Sequence, residues 1–305
     1  MKKFLCFLLC LILSTVFLYG CAKNNEDGGS DEPEHKVVDI NPHDELLKIN
    51  TVNEIIEKDA NDTDKHEVKT SKDGKYTYQE NNINGITILT VPEDTKGEFT
   101  FPSKIDGQAV TKIGKNILIR SLVSKITVPE SVLIIDYGAF SSCPELEEVV
   151  FKDGTIKIGD CAFLNDGNIK KITFPKTLEC LGQSSFAGCY SLEAVDLPES
   201  LKEINENCFS ASGIKTIEIP SEIKYIKPYT FYSCKNLQSV KFRSMVYEIM
   251  DCAFAECTNL EIKISGCEKI YFNAFTNVKK ADYDKQYEFN PNKLTEGSTE
   301  PNNSK

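Results

Sequence analysis

Histidine is nearly absent from this chain. Its three histidines, His35, His43 and His66, all precede residue 67, so no Ser-His or Cys-His nucleophile system can be assembled from the rest of the sequence. Imidazole-based metal sites are excluded there too. There is also no C-x-x-C pair and no glycine-rich phosphate loop, the usual signs of thiol, zinc and nucleotide chemistry. Basic stretches are missing as well. The 305 residues carry a formal charge of −11, and −13 once Lys2 and Lys3 are set aside. A chain of that sign is repelled by nucleic-acid phosphates. The expectation is therefore no enzyme activity, no cofactor, no metal and no nucleic-acid partner.

Long hydrophobic runs are lacking except for one. Phe4 to Tyr19 is apolar apart from Ser14 and Thr15, follows Lys2 and Lys3, and leads into Gly20 and Cys21. It falls short of the roughly 20 apolar residues that span a bilayer and has the layout of an export signal. Leu18-Tyr19-Gly20-Cys21 resembles the bacterial lipobox, in which the signal is cut before a cysteine that receives lipid. That resemblance implies a signal peptide over residues 1–20 and lipidation at Cys21. The membrane is then a partner through the N-terminal lipid, and the rest of the chain is lipid-anchored in the cell envelope, outside the cytoplasm.

What the chain does have is a period. Phe140, Phe163, Phe186, Phe209, Phe231, Phe254 and Phe275 recur at intervals of 23, 23, 23, 22, 23 and 21 residues, the mark of a solenoid whose coils stack on one another. Five residues before each phenylalanine stands an aliphatic residue: Ile135, Ile158, Leu181, Ile204, Ile226, Ile249 and Ile270. A strand of form h-x-x-h-x-h follows, as in Leu146/Val149/Phe151 and Ile214/Ile217/Ile219. Leu260-Glu261-Ile262-Lys263-Ile264 drops one spacer residue, which shortens the last interval. Pro129, Pro175, Pro198 and Pro220 close four strands, because proline lacks the amide donor a central ladder needs.

The rest of the chain divides around these repeats. Residues 21–74 read as an acidic flexible tether, in which Leu46, Ile49, Val52, Ile55 and Ile56 keep helical spacing and predict one short amphipathic helix. Residues 75–112 alternate as β-strands about an Asn-rich turn and predict an N-terminal β cap. Repeats fill 113–285, and 286–305 is a polar tail.

Nine cysteines follow Cys21, an odd number. Cys143, Cys189, Cys234 and Cys257 each stand three residues after a repeat phenylalanine, so they share one column. Coils two apart are separated by about 10 Å, too far for a disulfide. Only Cys234 and Cys257 lie on adjacent coils. The column reads as buried, small, apolar side chains.

Several columns recurring together identify the repeats. Ile172-Thr173-Phe174-Pro175, the turn from Tyr137 to Leu146, and Asp251 to Leu260 resemble the BspA-type leucine-rich repeat. The resemblance implies a mainly β, α/β-type repeat solenoid, a right-handed leucine-rich repeat coil with a parallel sheet. It also implies an exported or surface-bound protein, some relatives acting as adhesins, and no enzymatic chemistry.

Exposed strand positions read up the stack as Ser124-Lys125, Glu147-Glu148, Lys170-Lys171, Glu193-Ala194, Lys215-Thr216, Gln238-Ser239 and Glu261. Signs alternate from Lys125 to Lys215, and opposite charges on paired strands are worth roughly 0.2–1 kcal/mol. This face is expected to neutralise itself and set register. It is also the candidate binding face, formed by Lys125, Glu147, Glu148, Lys170, Lys171, Glu193, Asp196, Lys215, Glu218, Lys241 and Lys263, for a protein or polysaccharide ligand. Tyr190, Tyr225, Tyr229, Tyr232, Tyr247 and Tyr271 fall mainly in turns, where they either pack or add binding area. Two functions remain open: a surface protein binding a macromolecule, as an adhesin does, or a structural or assembly component of the envelope without an external ligand.

Overall fold

A computed structural model describes residues 52–60, 62, 66–284 and 288–289. Cys21, the signal peptide and most of the tail lie outside the described residues. The cap comprises β1 (Lys69–Thr70), β2 (Thr77–Asn81), β3 (Gly85–Thr90), β4 (Lys96–Thr100), β5 (Lys104–Ile105) and β6 (Gln108–Ile113). Two hairpin ladders, β1–β2 and β2–β3, are antiparallel, and β3 then pairs parallel with β6, passing the chain into the coil. β1 therefore draws residues 69–70, expected in the tether, into the cap.

From there each coil contributes a long and a short strand, except that residues 192–197 form no long one. The long ones are β7 (Leu122–Val128), β9 (Glu148–Phe151), β11 (Lys171–Thr173), β14 (Thr216–Ile219), β16 (Ser239–Phe242), β18 (Glu261–Lys263) and β20 (Lys280–Asp282). The short ones are β8 (Ile134–Ile135), β10 (Lys157–Ile158), β12 (Cys180–Leu181), β13 (Glu203–Ile204), β15 (Tyr225–Ile226), β17 (Glu248–Ile249), β19 (Lys269–Tyr271) and β21 (Glu288–Phe289). Pairing within both series is parallel, and the result is a mainly β solenoid of about nine turns. Each strand-closing proline opens a tight turn: Val132, Leu178, Leu201 and Ile223 donate back to the carbonyls of Pro129, Pro175, Pro198 and Pro220.

The repeat phenylalanines stack along the core. From Phe163 to Phe275 successive ring centroids lie 5.1–5.7 Å apart with planes within 13° of parallel. The cap supplies Phe101, buried 5.8 Å from Phe140, as the first ring. The backbone explains how such a column is held. From Phe140 to Phe254, residues two before and two after each phenylalanine are left-handed, including Gly138 and Ser142, Cys161 and Asn165, Asn207 and Ala211, and Tyr229 and Ser233. Amides at those two positions and at the phenylalanine itself then donate to the next coil, as Cys161, Phe163 and Asn165 do to Gln183, Ser185 and Ala187. This makes a third hydrogen-bonded side of the coil, and the buried backbone is satisfied as it must be.

Of the short helix predicted over 46–56, residues 46–51 lie outside the described residues; the remainder falls in α1 (Val52–Ala60), which packs on the solenoid. Ile55 is buried with Ile83, Leu133, Ile134 and Ile156, and Ile56 packs against them. Lys112 Nζ lies 2.6 Å from Asp59 of α1 and 3.1 Å from Asp136. Burial opposes the charge on Lys112, but Asp136 and Asp59 outweigh it and raise its pKa.

The long-strand sheet is interrupted twice. Residues 192–197 join no ladder, yet Val195 and Leu197 stay buried. A second break separates β16 from β18. Glu261 N still donates to Gln238 O at 2.9 Å, but the missing spacer residue puts Ile262 out of step with Val240 and no ladder continues.

Candidate recognition face

β7, β9 and β11 hold Lys125, Glu148 and Lys171 directly opposite one another in register. Glu148 bridges the two lysines, 2.9 Å from Lys125 and 2.8 Å from Lys171. Glu98 of β4 is in register with Lys125 and extends the alternation into the cap. One position earlier, Glu147 pairs with Lys170 at 2.9 Å and Glu193 with Lys215 at 2.6 Å. The compensating ladder read from the sequence is thus a set of real ion pairs.

The next exposed column behaves differently. Lys241 lies 2.5 Å from Glu218, its register partner, and Arg243 reaches the same carboxylate at 3.1 Å while also pairing with Glu199. Asp196 and Lys263 are exposed and enter no ion pair among the described residues. Lys263 faces Asp282 in the β18–β20 register.

These geometries decide what Glu147 and Glu148 can do. Hydrogen bonds from Lys171 and Lys125 hold the Glu148 carboxyl below its ordinary range. A general acid needs the opposite shift. The two glutamates serve separate ion pairs, and their arrangement suits charge-ordered contact.

All nine described cysteines are free, and all but Cys180 are buried. Each column thiol donates to the preceding coil: Cys143 to Leu118 O and Cys234 to Phe209 O at 3.0 Å, Cys189 to Phe163 O at 3.4 Å, and Cys257 to Phe231 O at 3.0 Å. Burial pushes the Cys143 thiol up to about 12, and a thiol so firmly protonated is a poor nucleophile.

Two features escaped the sequence reading. On the short-strand side, α1 borders a polar cleft of 540 Å³ containing Asp160, Glu179, Cys180, Lys202, Glu203, Asn205 and Lys227. Its groups largely satisfy each other, with Lys202 2.7 Å from Glu179 and Lys227 2.6 Å from Asn205 Oδ1. Helical spacing indicates α1, but its docking depends on tertiary contacts. The other feature is the division of the tyrosines. Tyr225 and Tyr247 meet edge-to-face at 6.0 Å, Tyr229 and Tyr232 at 5.7 Å, and Lys269 lies 4.8 Å above Tyr271. Tyr190 is the most exposed, at 63%.

Stacked coils, parallel strands and a periodic apolar core define a leucine-rich repeat solenoid. The family described as BspA type leucine rich repeat region matches residues 96–189 and 156–282, in six copies. The two matches together cover more than half of the sequence, and the chain belongs to this family. No curated protein matches the chain. Among solved structures, a leucine-rich repeat protein from Bacteroides ovatus is similar at 21% identity and a TM-score of 0.56, over 69% of this chain and 52% of that one. The chain therefore spans about half the length of that protein. A leucine rich cell surface protein from Faecalibacterium prausnitzii is similar at 21% identity and a TM-score of 0.49, over 74% of this chain and 78% of its own. A leucine-rich repeat protein from T. pallidum has 23% identity and a TM-score of 0.46, over 71% and 83%. No helix among the described residues is long and apolar enough to cross a membrane.

Proposed function

We propose that this chain is a lipid-anchored protein of the cell envelope, displayed outside the cytoplasm, that binds a macromolecular partner through its long-strand face. The partner is a protein or polysaccharide, and the role is that of an adhesin. Lipid attachment at Cys21 rests on the lipobox resemblance, and surface display is supported by the family and by the export signal. The observation that carries the binding reading is the ordered face itself: charges of alternating sign repeat in register from Glu98 to Lys171, ion-paired from Lys125 onward, and Asp196 and Lys263 further along enter no ion pair among the described residues. A rigid solenoid presenting charges at fixed spacing is suited to recognition by contact.

The test is twofold. Protease added to intact cells should cut the repeat array, and a shielded array would favour the structural role within the envelope. The captured chain should also retain a partner from matrix-protein, polysaccharide or envelope fractions, and lose it as salt rises.

A further inference from the structure

We propose that the wedge between β16 and β18 is a docking site for an extended acidic peptide carrying apolar side chains. The inference deepens the recognition reading and rests on it, but it names a place and a chemistry. Where the ladder fails, a crevice of 490 Å³ opens. Val240 lines it and is the one member of its column from Val149 to Ile262 that is not buried. Phe242 is half-buried beside it, and Met245 is 48% exposed at its end. Residues 192–197 lack a ladder too, but Leu192, Val195 and Leu197 are covered. The open apolar floor is therefore a property of this wedge and not of every break in the sheet.

Charge selects the occupant. The two charged residues lining the crevice are Lys241 and Lys263, in a chain whose overall charge is −11. Lys241 shares Glu218 with Arg243, and Lys263 has no ion pair among the described residues. Two lysines and no carboxylate thus line an apolar floor between two strand edges that no ladder joins. An extended peptide presents backbone groups to such edges while alternate side chains enter a pocket. Carboxylates on the intervening positions would meet the lysines.

The probe is a fluorescein-labelled hexapeptide alternating aspartate and leucine, with a lysine–leucine peptide as control, titrated against the full chain by fluorescence anisotropy. The acidic peptide should bind saturably, and the basic one should not. Lys241→Glu with Lys263→Glu should weaken binding at least tenfold, whereas Lys104→Glu with Lys115→Glu, exposed lysines away from this face, should leave it within twofold. Inserting one serine between Glu261 and Ile262 restores the regular strand spacing and should close the wedge, with the same loss. Bound peptide should slow amide exchange at Val240 to Phe242. Absence of saturable binding, equal binding of the basic peptide, or binding unchanged by both wedge variants would overturn the proposal. Each of those results leaves the wider face to be judged by its own salt and charge-reversal test.

Discussion

Asp166 Oδ1 accepts a hydrogen bond from Cys143 N at 2.6 Å, one coil back. The aspartate stands where other coils carry a thiol that donates to the preceding coil. Here the side chain accepts from the neighbouring backbone through Oδ1. Its Oδ2 is buried without a partner. Burial raises the Asp166 carboxyl to about 8, against which the amides of Cys143 and Ser142 pull only weakly.

A pH dependence follows from that burial. Asp166 keeps its proton in the folded state up to about pH 8, whereas in the unfolded chain it ionises near 4. The folded state binds the extra proton between these values, so stability falls as pH rises, by at most about 1.4 kcal/mol per pH unit. Thermal unfolding should give a lower Tm at pH 8 than at pH 5. Asp166→Cys, which restores the column residue, should flatten that difference; an unchanged pH profile in this variant would refute the assignment.

Phe186 lies between Phe163 at 5.1 Å and Phe209 at 5.7 Å, fully buried. Phe186→Ala should cost about 3–5 kcal/mol through lost burial and the cavity left behind. Urea denaturation followed by circular dichroism would register it. A shift under 1 kcal/mol would mean that the stack is not central to stability.

Ala211 is left-handed, with φ of 54°. That conformation costs a residue with a Cβ roughly 1–2 kcal/mol, and glycine avoids the cost at an entropic penalty of roughly 0.5–1 kcal/mol. Ala211→Gly should therefore stabilise the protein by about 0.5 kcal/mol or more, raising the urea midpoint. A lower midpoint would show that the turn is not strained.

Much of this architecture was legible in the sequence. The phenylalanines, the aliphatic residues five before them and the strand prolines lie in columns because each faces the same neighbour in every coil. The left-handed positions were harder to see. Asn116, Gly138, Asn165 and Asn207 hint at them, but Cys161, Tyr229 and Glu256 occupy equivalent places, where coil-to-coil hydrogen bonds override local preference. The alternating charges were readable because register pairs like positions. What the missing spacer in Leu260–Ile264 does to the sheet was not, since a lost ladder is a relation between two coils.

The docking of α1 was hidden for the same reason. Ile55→Asp should release it, because Ile55 is buried among Leu133, Ile134 and Ile156 and a lone charge is not tolerated there. Hydrogen exchange over Val52–Ala60 should become fast while the repeats stay protected. Continued protection of the helix would contradict the packing described.

The central claim is recognition through an ordered charged face. Its most direct test is the affinity of the full chain for the partner it captures, measured for the native protein and for a Lys170→Glu, Lys171→Glu, Lys215→Glu variant that keeps its circular dichroism spectrum. The account predicts at least a tenfold loss of affinity in the variant, and a native affinity that falls as salt rises. Equal affinity for both proteins, insensitive to salt, would contradict it.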